Sequence, residues 1–399
     1  MSKISPTHAS AAPSMSGYLF QCRYALFESL RRLRKMEEFT VSLETLDDVV
    51  FERDSNIKEL LQIKHHINKT ANLTDASSDI WKTLRIWCEH FISGKIKQDS
   101  IMFLITTAVS QNGSAAAYLK KREIPQAIER LNTTAESSVN KDNQRAYEAY
   151  RSLDVNQKTM LLNSVYIIDA SPSIIDIDIL LQQETRFAVE RQYLPSFLQR
   201  LEGWRFRRAI KHLAKEDDKQ ILSEEIDAEL SNLREQFKLD NLPIDEDILN
   251  ATVNATGYQD NIFVKQLEMI GIGNRRILFA IKDYYRAFTQ RSRWIREDLL
   301  FVGELDRYEN RLTEEWERYF ERMREELGEE TAEEERKKAA QALYKWIESD
   351  ASFPIRPSCQ EPFITRGSYQ ILSDDGHVGW HPEFKERLQQ LLEVKEAIE

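Results

Sequence analysis

Residues 42–67, S-L-E-T-L-D-D-V-V-F-E-R-D-S-N-I-K-E-L-L-Q-I-K-H-H-I, predict a β-hairpin around which the N-terminal half of the chain is organised. Two runs rich in aliphatic residues, at 49–51 and 60–64, flank a polar segment at 53–56. Such runs on either side of a short polar segment are typical of two strands joined by a turn. An acidic group at 44–48 precedes the first strand, so we expect negative charge at that end of the hairpin.

The predicted pairing brings side chains of complementary chemistry to one edge of a small sheet. Alternation along a strand places Gln62 and Lys64 on one face and Ile63 on the other. The Asp47–Asp48 end of the first strand lies beside them if the strands pair. Mg²⁺ accepts one or two carboxylates together with phosphate and water, and the backbone carbonyl of Ile63 could add a ligand. A bound metal ion activates water, and a lysine stabilises developing charge, so this group suits phosphodiester cleavage. The same spacing also fits a solvent-facing hairpin with a charged tip.

The order of the predicted elements (helix, acidic strand, Q-x-K strand, amphipathic helix, strand) resembles the core of the restriction-endonuclease-like, or PD-(D/E)xK, nucleases. More narrowly, G-Y-L-F-Q at 17–21, E-T-L-D-D-V at 44–49 and L-Q-I-K-H-H at 61–66 resemble the double-stranded-DNA endonuclease domain of bacterial anti-phage effectors. That domain occurs in the CBASS-associated nuclease and in the effector subunit of Lamassu-type ABC three-component systems. The resemblance implies an α/β restriction-endonuclease-like domain over residues 16–215 that cleaves double-stranded DNA with Mg²⁺ or Mn²⁺.

The resemblance also implies roles for individual residues. Asp48 matches the metal-binding aspartate, with Asp47 as the alternative, and Lys64 matches the motif lysine. Gln62 stands where many relatives carry Glu, which removes a charge but keeps an oxygen. The implied catalytic residues are Asp48, Gln62, Lys64 and Glu44. The implied metal ligands are Asp48, Gln62, Ile63 and Asp47. The implied DNA contacts are Lys64, His65, Gln21, Arg205, Arg207 and Arg208.

The net charge of −11 is unfavourable for a DNA-binding protein, because phosphate contacts dominate affinity for nucleic acid. The charge is segregated, however. Residues 191–215 and 275–296 each hold seven Lys or Arg against one acid, whereas residues 304–336 hold fourteen acids against six arginines. Local basic faces are therefore possible on an acidic protein, and solvated helix faces explain the same runs equally well.

The second half of the chain predicts a helical assembly domain over residues 220–399, separated from the first by the charged segment 215–219. Prolines before Gly367 and the D-D-G turn at 374–376 predict a small β element in the tail. The segments W-E-R-Y-F-E, R-G-S-Y and D-D-G-H-V-G-W-H-P-E-F resemble a C-terminal domain of ABC three-component proteins. That resemblance implies docking onto an SMC- or Rad50-like ATPase and a third, small subunit, with homo-oligomerisation in the active state.

Several classes of protein are disfavoured by the composition. Residues 1–15 lack an apolar signal-peptide core and predict a flexible leader. No apolar run reaches about 18 residues, so we expect no membrane-spanning helix and a cytoplasmic location. Three scattered cysteines form neither a disulfide framework nor a C-x-x-C metal site. A phosphate-binding G-x-x-x-x-G-K-[ST] loop is missing, so ATP hydrolysis is not expected of this chain.

Two other functions stay open at this level. Gln62 in place of a carboxylate is compatible with an inactive nuclease fold that serves as a scaffold. An RNA-directed nuclease would carry the same motif.

Overall fold

The computed structural model describes residues 12–53, 56–65, 71–97, 99–173, 176–214, 220–328 and 331–396. The chain forms two compact units, Met1–Asn232 and Leu233–Glu399. The predicted boundary segment, 215–219, lies outside the described residues. Of the predicted leader, residues 1–11 also lie outside them, and residues 12–15 belong to the first helix. Within these ranges no helix combines the length and the apolar character that a membrane span requires.

The first unit is built on a mixed sheet of six strands. The strands of the chain are β1 (Thr40–Leu43), β2 (Val49–Arg53), β3 (Asn56–Lys64), β4 (Asn72–Leu73), β5 (Ile101–Thr106), β6 (Val109–Ser110), β7 (Val165–Ile168) and β8 (Ile221–Leu222). The sheet order is β7-β5-β3-β2-β1-β8, and β4 pairs separately with β6. The pairs β1–β2, β2–β3 and β1–β8 are antiparallel, whereas β3–β5 and β5–β7 are parallel.

The predicted hairpin is confirmed as β2 and β3, with a register shift between Phe51 and Glu52. The nearly continuous apolar run at 100–108 predicts a buried strand, which is confirmed as β5. The apolar residues at 161–168 predict a second buried strand, but the observed strand β7 is shorter, because residues up to Asn163 are helical. Strand β7 lies at the edge of the sheet. Val165 and Ile167 are buried on one of its faces, whereas Tyr166 and Ile168 are exposed on the other.

Nine helices surround or follow this sheet in the described part of the chain. They are α1 (Ala12–Arg34), α2 (Ser78–Ile92), α3 (Ala115–Lys120), α4 (Ile124–Ser137), α5 (Gln144–Arg151), α6 (Val155–Asn163), α7 (Ile177–Thr185), α8 (Leu194–Leu213) and α9 (Ser223–Gln236). The predicted apolar stripe of α2 is buried and packs with Leu60, Met102 and Leu104 of the sheet. Each fully buried large apolar side chain contributes about 1.5–3 kcal/mol, so this face holds α2 firmly against β3 and β5.

Helix α1 packs against the same sheet through its C-terminal half. The guanidinium group of Arg32 lies 3.8 Å from the centre of the Phe51 ring and bonds to Glu59, so α1 is tied to β2 and β3. At the other end of these strands, the rings of Phe20 and His65 lie 4.9 Å apart. Helices α1 and α2 thus both reach the end of the sheet at which β3 finishes.

The second unit is helical throughout its described residues. Its helices are α10 (Glu246–Leu249), α11 (Ile262–Met269), α12 (Asn274–Arg296), α13 (Glu304–Glu326), α14 (Glu333–Ser349), α15 (Pro362–Asp374) and α16 (Phe384–Glu396). Helix α15 packs so closely on α12 that a Cβ atom at Gly367 would lie 2.1 Å from the carbonyl oxygen of Asp283. Glycine is therefore required where these two helices meet.

The prediction of a small β element in the tail is wrong, because the segment forms α15. Pro362 occupies the first turn of the helix, where its missing N–H costs nothing. Residues 363–365 and 367–373 are all buried, so the segment has no polar face and none of the 3.6-residue periodicity that identifies a surface helix. The D-D-G sequence ends this helix, with Gly376 in the left-handed conformation (φ 74°), and does not turn a hairpin.

Candidate functional site

The candidate site lies at the end of the sheet where β2 begins and β3 finishes. Val49 pairs with Leu61, so Asp48, which precedes the first paired residue of β2, lies at the level of Gln62. Parallel pairing continues from β3 into β5 as far as Lys64 and Thr106. The residues of the D-D and Q-x-K motifs are therefore brought to one end of the sheet by the pairing of β2 with β3.

Asp48 and Lys64 meet at this edge. Asp48 is 8% exposed, and its Oδ2 accepts a hydrogen bond from the backbone N–H of Ile63 at 2.6 Å. The Nζ of Lys64 lies 3.8 Å from the same oxygen, and the Lys64 side chain keeps 25% of its surface exposed. A carboxylate held by a backbone amide, next to a partly exposed ammonium group, is an arrangement that can receive a negatively charged ligand.

Asp47 points to different partners. Its Oδ2 accepts a hydrogen bond from Nε1 of Trp87 in α2 at 2.6 Å, and its Oδ1 accepts one from the backbone N–H of Asp48 at 3.1 Å. Burial raises the pKa of the Asp47 carboxyl to about 7, against the lowering effect of the Trp87 bond. The structure thus ties Asp47 to α2 and leaves Asp48 as the carboxylate beside Lys64.

Glu44 approaches the site from the side of α1. Its backbone has a positive φ of 52°, and its N–H donates to the carbonyl oxygen of Asp48 at 3.1 Å, which closes the turn between β1 and β2. Partial burial of the carboxyl, and then the charge of Asp48, raise the Glu44 pKa, whereas Lys64 and a hydrogen bond from the Gln21 side chain lower it. The structure therefore brings Glu44, Gln21, Asp48 and Lys64 into one electrostatic group.

Gln62 is 2% exposed, and within the described ranges its Oε1 has no hydrogen-bond partner. The Oε1 of Gln21 is likewise buried and unpartnered there. Leaving a buried amide oxygen without a hydrogen bond costs about 1–3 kcal/mol. The side-chain oxygens of Gln62 and Gln21 therefore need an explanation. The donor set fits Mg²⁺ or Mn²⁺, which prefer hard oxygen ligands and keep several waters. The described residues contain no group of three His, Cys, Asp or Glu that could hold a metal ion, so Gln62 would have to contribute.

The residues predicted to contact DNA are placed differently from one another. The ring of His65 is half-buried against Phe20 at the site. Arg207 is exposed on α8, and Arg208 binds Glu225 at 2.7 Å. Arg205 is only 2% exposed and faces the protein interior. The expected phosphate contact is therefore corrected for Arg205: helical periodicity turns it to the inner face of α8, opposite to Arg207.

Trp87 is the residue at this site that sequence analysis missed. Its position in an apolar stripe indicates a core residue, and its ring is indeed buried. The indole N–H nevertheless needs an acceptor when it is buried, and Asp47 supplies it across forty residues of chain. That general need of a buried tryptophan is the only signal in the sequence that could have suggested the contact.

Comparison with known proteins identifies the C-terminal unit. Residues 263–388 match the family model of C-terminal domain 7 of the ABC-three component (ABC-3C) systems. This match confirms the resemblance indicated by the C-terminal motifs. No curated protein matches the chain in sequence.

A solved structure with a loose likeness is the Cap4 SAVED/CARF-domain-containing receptor of Acinetobacter baumannii, determined with the cyclic trinucleotide 3′3′3′-cAAA. The two chains are 12% identical, the match covers 69% of each, and the TM-score is 0.34. At that score the likeness carries no argument about fold or ligand.

Proposed function

We propose, starting from the C-terminal domain of ABC-three component type at residues 263–388, that this chain is the effector nuclease of such a system. Its N-terminal unit is a metal-dependent endonuclease that hydrolyses phosphodiester bonds of double-stranded DNA in defence against phages and plasmids. The observation that carries the proposal is the edge of the sheet where Asp48 and Lys64 lie 3.8 Å apart next to Gln62, whose carbonyl oxygen is unpaired among the described residues.

Each residue of the site has one role in the proposed reaction. Asp48 and Gln62 would hold Mg²⁺ or Mn²⁺, with Glu44 and the backbone carbonyl of Ile63 as further oxygen donors. Bound there, the metal ion would acidify water and stabilise negative charge on phosphate. Lys64 keeps part of its ammonium surface exposed and would donate hydrogen bonds to the scissile phosphate or to the attacking water. Asp47, fixed by Trp87, orients the turn that carries Asp48 and is a positioning residue.

The topology supports the same assignment. A helix, three antiparallel strands, a second helix and a strand parallel to the third follow each other in the chain. Apart from the additional strand β1, this is the order of elements that the sequence resemblance implies for a restriction-endonuclease-like core. Helices α3 to α6 stand between β5 and β7, in the position of an insertion on that core.

Charge suggests that cleavage depends on assembly. In the basic run of α12, Arg276 binds Glu348 at 3.2 Å, Arg291 binds Glu309 and Arg293 binds Asp247 at 2.8 Å. These ion pairs use arginines that could otherwise contact phosphate, and the net charge of the chain is −11. An isolated chain would then bind DNA weakly. Association with an SMC-like ATPase and a third subunit, together with oligomerisation, would bring several nuclease units onto one DNA molecule.

The test is cleavage of plasmid DNA in Mg²⁺ by the purified chain, with and without the other components of its system. Lys64→Ala should reduce cleavage at least a hundredfold, because it removes the only cation beside Asp48 in the described part of the site. Lys58→Ala is the matched control, since Lys58 lies on the same strand and pairs with exposed Asp99 at 2.6 Å. Equal cleavage by both variants would contradict the assignment, and degradation of duplex RNA instead of DNA would redirect it to RNA.

A second candidate, an inactive nuclease fold that serves as a scaffold, is favoured by one observation: Gln62 lacks the charge that a glutamate would bring. Calorimetric titration of the chain with Mn²⁺ separates the two. The nuclease requires Mn²⁺ binding that Asp48→Asn weakens. A scaffold would bind no Mn²⁺ and yet assemble normally with its partners.

A further inference from the structure

The most unusual buried charge in the N-terminal unit belongs to an arginine of α8. Arg205, on α8, is 2% exposed, and its Nε and Nη2 atoms are buried with no hydrogen-bond partner in the described structure. An arginine has five N–H donors and stays charged in proteins. Burying such a group without an acceptor is strongly unfavourable, and buried charges are normally paired. The position therefore calls for a negative partner.

The protein groups around Arg205 do not provide one. The nearest are the Cys22 thiol, the Tyr18 hydroxyl and the Arg208 guanidinium group. Burial raises the pKa of both Cys22 and Tyr18, so neither is negative at neutral pH. Burial also lowers the pKa of Arg205 to about 10, which leaves it charged at neutral pH. Within the described part of the unit, no carboxylate forms a salt bridge with the Arg205 guanidinium group.

A cavity of about 240 Å³ lies against this group, between α1 and α8. Leu19, Leu26 and Phe206 give it apolar walls. Two other charged side chains line it, Arg23 and Glu202, but they bind each other at 2.9 Å. A dry apolar cavity of about 150 Å³ is enough to hold benzene, so this one has room for a small ligand.

We propose that this cavity binds a small amphipathic monoanion, with its carboxylate or similar head group on Arg205 and its apolar body between Leu19, Leu26 and Phe206. The single uncompensated cation sets the charge of the ligand at −1, and the apolar walls exclude a polyanion. A DNA backbone is ruled out as the occupant, since it carries a charge on every nucleotide and the cavity offers one unpaired cation between apolar walls. The site is independent of the proposed nuclease activity.

The probe is decanoate, kept below its micellar concentration and titrated calorimetrically into the full-length chain. We expect one molecule to bind per chain and Arg205→Leu to weaken binding at least tenfold. Arg205→Lys, which keeps the charge, should retain part of the affinity. Decanol, which has the same apolar body without the charge, should bind weakly and equally to both proteins. Arg207→Leu is the matched control, because Arg207 is exposed two residues further along the same helix.

Thermal unfolding without ligand shows whether a loss of binding by Arg205→Leu results from misfolding. If the Arg205 charge serves to bind a ligand, the ligand-free protein carries an unpaired buried charge. Arg205→Leu removes that charge and should therefore raise Tm. A structural arginine would instead lower Tm on removal. The proposal is overturned if wild-type protein does not bind decanoate, if Arg205→Leu binds it as tightly as wild type, or if that variant loses DNA binding while decanoate binding is unchanged.

Discussion

Arg356 in the C-terminal unit and Arg205 in the N-terminal unit are buried to nearly the same degree, 4% and 2% exposed, but their surroundings are opposite. The guanidinium group of Arg356 donates to both oxygens of Glu304 at 2.7 and 2.8 Å, and to the carbonyl oxygens of Asn241 and Leu299. Arg205 has no hydrogen bond from two of its nitrogens within the described residues. Arg356 thus stabilises the fold of its unit, whereas we propose that Arg205 is available for a ligand.

Two buried glutamines, Gln290 and Gln62, show the same contrast. Gln290, in the C-terminal unit, accepts from the backbone N–H of Asp245 and donates to Asp245 Oδ2 and to the carbonyl oxygen of Pro243. Gln62 has an unpartnered Oε1 in the described N-terminal unit. The contrast belongs to these two residues and not to the units as a whole, because the Oε1 atoms of Gln266 and Gln370 are also buried and unpartnered in the described C-terminal unit.

The largest effect should come from Arg356→Met, which keeps bulk and removes the hydrogen bonds. Because Glu304 and two carbonyl groups then lose a buried partner, we expect the free energy of unfolding to fall by about 3–5 kcal/mol in urea titrations. Arg318→Met is the control, since its pair with Glu315 is exposed and worth well under about 1 kcal/mol. Equal losses of stability for Arg356→Met and Arg318→Met would contradict the structural role assigned to the buried Arg356.

Substitution of the two glutamines should change stability by less than substitution of Arg356. Gln290→Leu removes the acceptor of the Asp245 N–H and one donor each to Asp245 Oδ2 and to the Pro243 carbonyl oxygen, so we expect a loss of about 2 kcal/mol in stability. Gln62→Leu removes an acceptor that has no protein partner, and stability should stay within about 0.5 kcal/mol of wild type or rise. Urea unfolding of both variants measures the difference. A loss of 2 kcal/mol at Gln62 would make it a structural residue and would weaken its assignment to the metal site.

The smallest effect is on pH dependence. Burial alone would raise the pKa of Glu304, but hydrogen bonds from Arg356 and from the backbone N–H of Phe301 hold it below the usual 4.5. Folding therefore disfavours the protonated form. The contribution is present above pH 4.5 and is lost as the pH falls through the lower, folded-state pKa.

The difference in stability between wild type and Glu304→Gln, measured from pH 7 to pH 3, should accordingly shrink at the acidic end. The difference between wild type and Arg205→Leu should stay constant over the same range, because Arg205 remains charged throughout. A difference for Glu304→Gln that does not change with pH would show that its pairing with Arg356 does not affect the proton.

Much of the fold could be predicted from local pattern. The hairpin and the apolar stripe of α2 follow from periodicity of two or 3.6 residues, and the strand at 101–106 follows from a continuous apolar run. Helix α15 could not be predicted in this way, because it is buried on every side and has no period. The site was predicted as a set of residues, but the division of labour between Asp47 and Asp48 was not, since both are acidic and adjacent.

By itself, the sequence determined which segments form amphipathic helices and strands. It also determined which segments of the chain carry excess charge and which polar residues meet at one end of the sheet. Only the tertiary structure decided that Asp47 turns to Trp87, that Asp48 turns to Lys64, and that Arg205 faces a cavity while Arg207 faces solvent. The reason is physical. A periodic pattern depends on the chain's own geometry, whereas the partner of a side chain depends on which other elements of the chain pack beside it.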